Sequence, residues 1–199
     1  MRPMNKKWIV FAMLVLSIPM NGQRLALKTN LLYSAVAVPN LGLETSLSSR
    51  LTLDLSGAYN PFQVSETKKW KLWMVQPELR YWMCENFYGT FLGVHVFGGQ
   101  FNVGGIGGTT DLPLFGETKI LSGLKNHRVE GDFAGVGLSL GRQWVLSSHW
   151  SFETELGVGF ARYSYDRFRC THCGERISGG TQNYLGPTKA GISLVYMIR

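Results

Sequence analysis

From Arg128 to Arg167 apolar and polar residues alternate one by one. Ala134, Val136, Leu138, Leu140, Arg142, Trp144 and Leu146 form one set, apolar apart from Arg142, and Gly135, Gly137, Ser139, Gly141 and Gln143 form the other. Ser147, Ser148 and His149 make a polar turn, after which Trp150, Phe152, Thr154, Leu156, Val158 and Phe160 stand against Ser151, Glu153, Glu155, Gly157, Gly159 and Ala161. Successive side chains of a strand point to opposite faces, so a period of two predicts β-structure. These strands are about twice the usual length of roughly 5–6 residues. Long strands joined tightly, with a small polar face and an apolar face flanked by aromatics, predict a transmembrane β-hairpin with lipid on one side and a polar lumen on the other.

The same alternation recurs along the chain. A first strand is predicted over 24–38, with Leu25, Leu27, Thr29, Leu31 and Tyr33 opposite Lys28, Asn30 and Ser34, and Pro39-Asn40 turning it. A second covers 41–47 (Leu41, Leu43 and Leu47 against Glu44), and a third 51–59 (Leu51, Leu53 and Leu55 against Thr52, Asp54 and Ser56). A fourth, 72–83, sets Trp73, Val75, Leu79 and Tyr81 against Gln76, Glu78 and Arg80, and its Pro77 predicts a lost ladder bond or a bulge. A fifth, 88–100, sets Leu92, Val94 and Val96 against Gly93 and His95, and a Gly-rich connection follows over 101–127. The opening hairpin supplies the sixth and seventh. A loop over 166–182 then precedes an eighth strand, 183–198, with Ile192, Leu194, Tyr196 and Ile198 on its apolar face. Connections after the second, fourth and sixth strands are short, and those after the third, fifth and seventh are long. The prediction is an all-β fold, an eight-stranded antiparallel up-and-down transmembrane β-barrel with both termini on the side of the short turns.

The N-terminus adds a compartment. Arg2, Lys6 and Lys7 precede an apolar run from Trp8 to Ile18, too short to span a bilayer as a helix, and Pro19 to Gln23 breaks it. This predicts a signal peptide over 1–22, cleaved near Gly22 or Gln23, and a single domain over 23–199. No Cys follows the run before Cys84, which argues against a lipoprotein anchor. The leader holds three bases and no acid, so the remainder carries +4 against +7 for the whole chain, with the bases scattered. That balance does not point to nucleic acid. The expected location is the bacterial outer membrane, and the expected state a monomer.

With the apolar faces toward lipid, the lumen receives Lys28, Glu44, Asp54, Glu78, Arg80, His95, Glu153 and Glu155. Buried charges must pair, so these residues predict a salt-bridged plug rather than an ion path, since eight strands leave an interior that side chains fill. The alternative is a soluble periplasmic carrier of lipocalin type, whose apolar faces would point inward toward an apolar ligand. Cys170-Thr171-His172-Cys173 in the last loop is half of a zinc pattern; a local disulfide between Cys170 and Cys173 is the expected state, with zinc held by the pair, His172 and one more ligand as the alternative. Glycines 98, 99, 104, 105, 107 and 108 lack the Lys-Ser/Thr of a phosphate loop. Lys68-Lys69-Trp70-Lys71 interleaves bases with an aromatic, as a lipopolysaccharide phosphate contact or a basic interfacial girdle would. No nucleophile has a base placed for it, so neither catalysis nor a cofactor or resident metal is expected.

The blocks Leu25-Ala-Leu-Lys-Thr-Asn-Leu-Leu-Tyr33, Tyr59-Asn-Pro-Phe62, the Trp70 to Trp82 segment, Gly98-Gly-Gln-Phe-Asn-Val-Gly-Gly105 and Asn183-Tyr-Leu-Gly-Pro-Thr-Lys-Ala-Gly191 resemble an uncharacterised Bacteroidetes-type outer-membrane family of unknown function. The resemblance spans nearly all of the chain beyond the leader. It implies a small outer-membrane barrel, brings no catalytic residues, and adds a surface or fimbrial-assembly protein to lipopolysaccharide as an expected partner. The chain ends in Arg199 instead of the aromatic usual for such proteins, leaving Tyr196 to serve.

Overall fold

A computed structural model of the protein describes residues 24–61, 69–104, 128–169 and 176–198. The predicted signal peptide, Lys68, Cys170 and Cys173 lie outside the described residues. Among the described residues eight strands follow one another: β1 (Leu25–Asn30), β2 (Asn40–Ser46), β3 (Leu51–Asn60), β4 (Lys69–Trp82), β5 (Gly89–Gly104), β6 (Arg128–Val145), β7 (Trp150–Phe168) and β8 (Arg176–Ile198). Each pairs antiparallel with the next, and β8 returns to β1 through a register running from Leu25↔Ile198 to Asn30↔Ser193, so the hydrogen bonds close into a ring without a free edge.

The faces separate by chemistry. Outward positions carry Leu41, Leu55, Val75, Leu79, Val94, Leu138 (63% exposed) and Leu156 (72% exposed), while most of the inward positions beside them carry charged or polar side chains or glycine. The apolar-inward arrangement of a lipocalin-type carrier is therefore the reverse of what the middle of this ring displays.

Three segments differ from the sequence reading. The first strand ends at Asn30, and one helical turn, α1 (Leu31–Ala35), replaces its predicted second half. Asn30 caps that turn by accepting from the Leu32 N–H at 3.0 Å. The Asn40 side chain accepts from the Asn30 N–H at 2.6 Å and donates to the Asn30 and Val38 carbonyls at 3.0 and 3.2 Å, in place of a continued ladder. The predicted 166–182 loop is mostly strand: β7 and β8 stay paired from Asp166↔Gly179 up to Phe168↔Arg176, with Arg176 and Asp166 in an ion pair at 2.7 Å. Apolar alternation fades there because both faces are polar, which hides a strand from a hydrophobic reading. β5 likewise runs on to Gly104, four residues into the predicted Gly-rich connection.

The two prolines resolve differently. Pro77 keeps its place opposite Leu55 on β3, while pairing with β5 lapses between Val75↔Gly98 and Glu78↔His95 without a change of register. The cost is a ladder bond and not a bulge, because proline lacks only its N–H. The bulge lies in β8, where Gly157 pairs Lys189 but Val158 pairs Pro187, leaving Thr188 over.

Candidate functional site

The interior is stacked in three layers. At the end holding Leu25, Ile198 and the short turns, Trp82, Phe87, Phe91, Ala26 and Val195 are buried together, with Trp82 4.8 Å from Phe91 between ring centres. The Trp82 Nε1–H donates to Thr52 Oγ1 at 2.9 Å, which keeps this buried donor satisfied. Phe87 adopts φ of 64°, an unusual value for a bulky residue, and is held there by its packing under Trp82. At the opposite end Phe97, Phe133, Phe101 and Tyr163 pack with ring centres 5.8–6.5 Å apart.

Between these aromatic layers lies a charged one. Alternation on β4 brings Glu78 and Arg80 to the interior, on β7 Glu153 and Glu155, on β1 Lys28, on β2 Glu44 and on β3 Asp54. Arg80, 1% exposed, is ringed by carboxylates: Glu44 at 2.9 Å, Asp54 at 3.0 Å, Glu78 at 2.9 Å, Glu153 at 3.0 Å and Glu155 at 2.8 Å. Its fork of five N–H donors is the one side chain able to serve so many acceptors at once. Below it, Phe91 lies 4.3 Å from the guanidinium carbon and closes the lower face. Lys28 bridges Glu44 at 2.6 Å, Glu153 at 3.0 Å and Asp54 at 3.3 Å. Thr52 donates to Glu44, and Ser139 donates to Glu78 at 3.0 Å.

Alternation predicted eight lumen residues, and all eight side chains lie inside the ring. His95 stands apart from the ion pairs: its Nε2 meets Thr188 Oγ1 at 2.9 Å, and Phe97 packs 5.9 Å away. The sequence reading missed Lys189, which pairs with Glu155 at 3.0 Å and with Glu78. Counting back by twos from Ser193 on β8 would have found it. Thr188 had no such signal, because only the bulge lets two successive residues of β8 enter the interior.

Among the described residues five carboxylates face three cations here, a formal surplus of two negative charges. A buried surplus of this kind is costly unless part of it is protonated or solvated. A cavity of about 40 Å³ above Arg80, roofed by Tyr33 of α1, has room for roughly two waters. Gln76 Nε2 and Glu155 Oε1, both buried without a hydrogen-bond partner among the described residues, belong to residues lining it; one needs an acceptor and the other a donor, and a water molecule is able to serve as either. Arg80, Lys28 and Lys189 occupy the positions among the carboxylates that a metal ion would take.

The model of a family described as "Protein of unknown function (DUF3575)" matches residues 8–198. No curated protein and no solved structure matches the chain.

Proposed function

This chain belongs to the DUF3575 family, and we propose that it is a small β-barrel of the bacterial outer membrane, closed to passage, that holds its long connections at the cell surface for contact with lipopolysaccharide or a surface-assembly protein and catalyses no reaction. The observation that carries this reading is the outer belt. On β6 outward apolar residues run from Ala134 to Trp144, ten residues along one strand, interrupted by Arg142. At about 3.3 Å per residue and a tilt near 40°, they rise roughly 25 Å, the height of the apolar band of outer-membrane barrels. Aromatics border the belt at both ends. Trp150 and Tyr196 lie edge to face at 4.9 Å beside Trp144 and Phe152, and Tyr59 pairs Trp73 across strands at the other end. Beyond the second border the outward residues turn polar: Lys71, Asn102, Glu130, Asp132 and Ser164. Arg142 reaches the lower border, its guanidinium 5.6 Å from the Trp144 ring, as a snorkelling side chain does. Aromatic and charged layers stacked across the interior favour an anchor over a channel.

The test is fractionation of cells followed by gel migration with and without boiling. Recovery with the outer membrane and a mobility shift on heating support the reading; recovery as a soluble periplasmic protein without detergent overturns it. The Leu138→Arg variant adds a quantitative arm. Leu138 sits in mid-belt, where an outward Arg costs about 2–4 kcal/mol in lipid and nearly nothing in water. The expected outcome is a sharp fall in the folded, heat-modifiable form, and unchanged yield would count against a lipid-facing surface.

A further inference from the structure

On the outer face of β3, Gly57 stands between Leu55 and Tyr59, so a row of large side chains is interrupted. Its register neighbours are Leu41 on β2 and Val75 on β4. The gap opens a groove of about 450 Å³, floored by Gly57 and walled by Pro39, Leu41, Tyr59, Trp73 and Val75. The inward glycines of β5 to β7 are needed because strands and side chains press on them. At Gly57 a Cβ would meet nothing nearer than the Met74 carbonyl oxygen, 3.7 Å away. The missing side chain is thus what makes the groove, not a requirement of close packing.

Directly above, on the same outer face of β4, Lys71 follows two residues beyond Trp73 toward the end with the long connections, and it is exposed. Its register partner on β5 is the neutral Asn102, and no described carboxylate pairs with it. A cation, an aromatic at the border and an apolar slot therefore lie in line along one edge of the belt.

We propose that this groove seats an acyl chain of a phosphorylated glycolipid of the outer leaflet, with Lys71 meeting its phosphate. The inference rests on the membrane reading above, which puts the end with long connections, and so this groove, in the leaflet built of lipopolysaccharide. Lipid tails are as apolar as the groove, so no hydrophobic gain selects an occupant. Selection comes from the shape of the slot and from the charge above it, and both must be present in one ligand.

The experiment uses the full chain purified from outer membranes in mild detergent, with native mass spectrometry after addition of lipid A or, separately, phosphatidylglycerol. Wild type is expected to retain lipid A in preference to phosphatidylglycerol. Gly57→Leu, which fills the slot, and Lys71→Gln, which removes the charge, are each expected to lose most of it while still shifting on heating. Gly57→Ala guards against a folding defect and should retain an intermediate amount. Equal retention of lipid A by wild type and Gly57→Leu, or a preference of wild type for phosphatidylglycerol, overturns the proposal and leaves the membrane reading standing. A protein soluble without detergent overturns both.

Discussion

Replacing Arg80 with methionine is expected to abolish the folded, heat-modifiable form of the protein. The guanidinium touches all five interior carboxylates at 2.8–3.0 Å and is almost wholly buried. Methionine fills much of the volume and leaves those carboxylates with Lys28 and Lys189 alone. Removing one partner of a buried pair costs about 3–5 kcal/mol because the other charge stays behind, and here five are left. A fold of ordinary stability, about 5–15 kcal/mol, does not comfortably survive that. Arg80→Lys keeps the charge but not the fork, so it should recover part of the loss. The sign of the pH effect follows from charge alone. In Arg80→Met the folded state is opposed by repulsion among ionised carboxylates, and protonation removes it, so acidification should favour folding in the variant. Refolding yield in detergent, measured by the heat-dependent gel shift across a pH series, checks both points. A variant as stable as wild type at neutral pH would mean that the charged layer does not hold the ring together.

Gly159→Val is expected to be the next most damaging change. Gly159 faces Gly137 across the β6–β7 pair, and a Cβ built on it would fall within the van der Waals shells of the Val136 carbonyl oxygen and the Gly137 Cα. Both are backbone atoms, so no rotamer change relieves the overlap; the two strands must part. Overpacking a core commonly costs about 1–3 kcal/mol, and a clash with backbone belongs at the upper end, about 3 kcal/mol. Gly57→Ala provides the contrast, since its Cβ would meet only the Met74 carbonyl oxygen at 3.7 Å, an ordinary contact, and a change on the outer face of this kind stays within about 0.5 kcal/mol. Urea unfolding of both variants in detergent gives the comparison. Equal midpoints would mean that the β6–β7 glycines are not what lets this side of the ring curve.

The alternating residues themselves carried the strands, the apolar belt and the inward charges of the ion-pair layer other than Lys189. Periodicity belongs to each strand alone and needs no partner: Leu138 and Ser139 face opposite ways whatever lies next to them. Where the pattern was silent, the reading faltered for local reasons. At the far ends of β7 (residues 166–168) and β8 (residues 176–182) most positions on both faces are polar or glycine, so paired strand looked like a loop. In the first strand Asn30 and Asn40 replace ladder bonds with side-chain bonds, and apolar Leu31 and Tyr33 kept the alternation going across a turn that had already begun.

What only the tertiary structure decided depends on register and curvature, which join residues far apart in sequence. That Arg80 meets Glu153 and Glu155, more than seventy positions away, follows from ring closure and from the offset between successive strands. The bulge at Thr188 gives His95 a hydrogen-bond partner that strict alternation would have turned outward. The same separation governs the glycines. Sequence marks Gly57 and Gly159 alike, and the ring makes one a notch in the outer belt and the other a seam between strands, because only its curvature decides which side of each backbone is crowded.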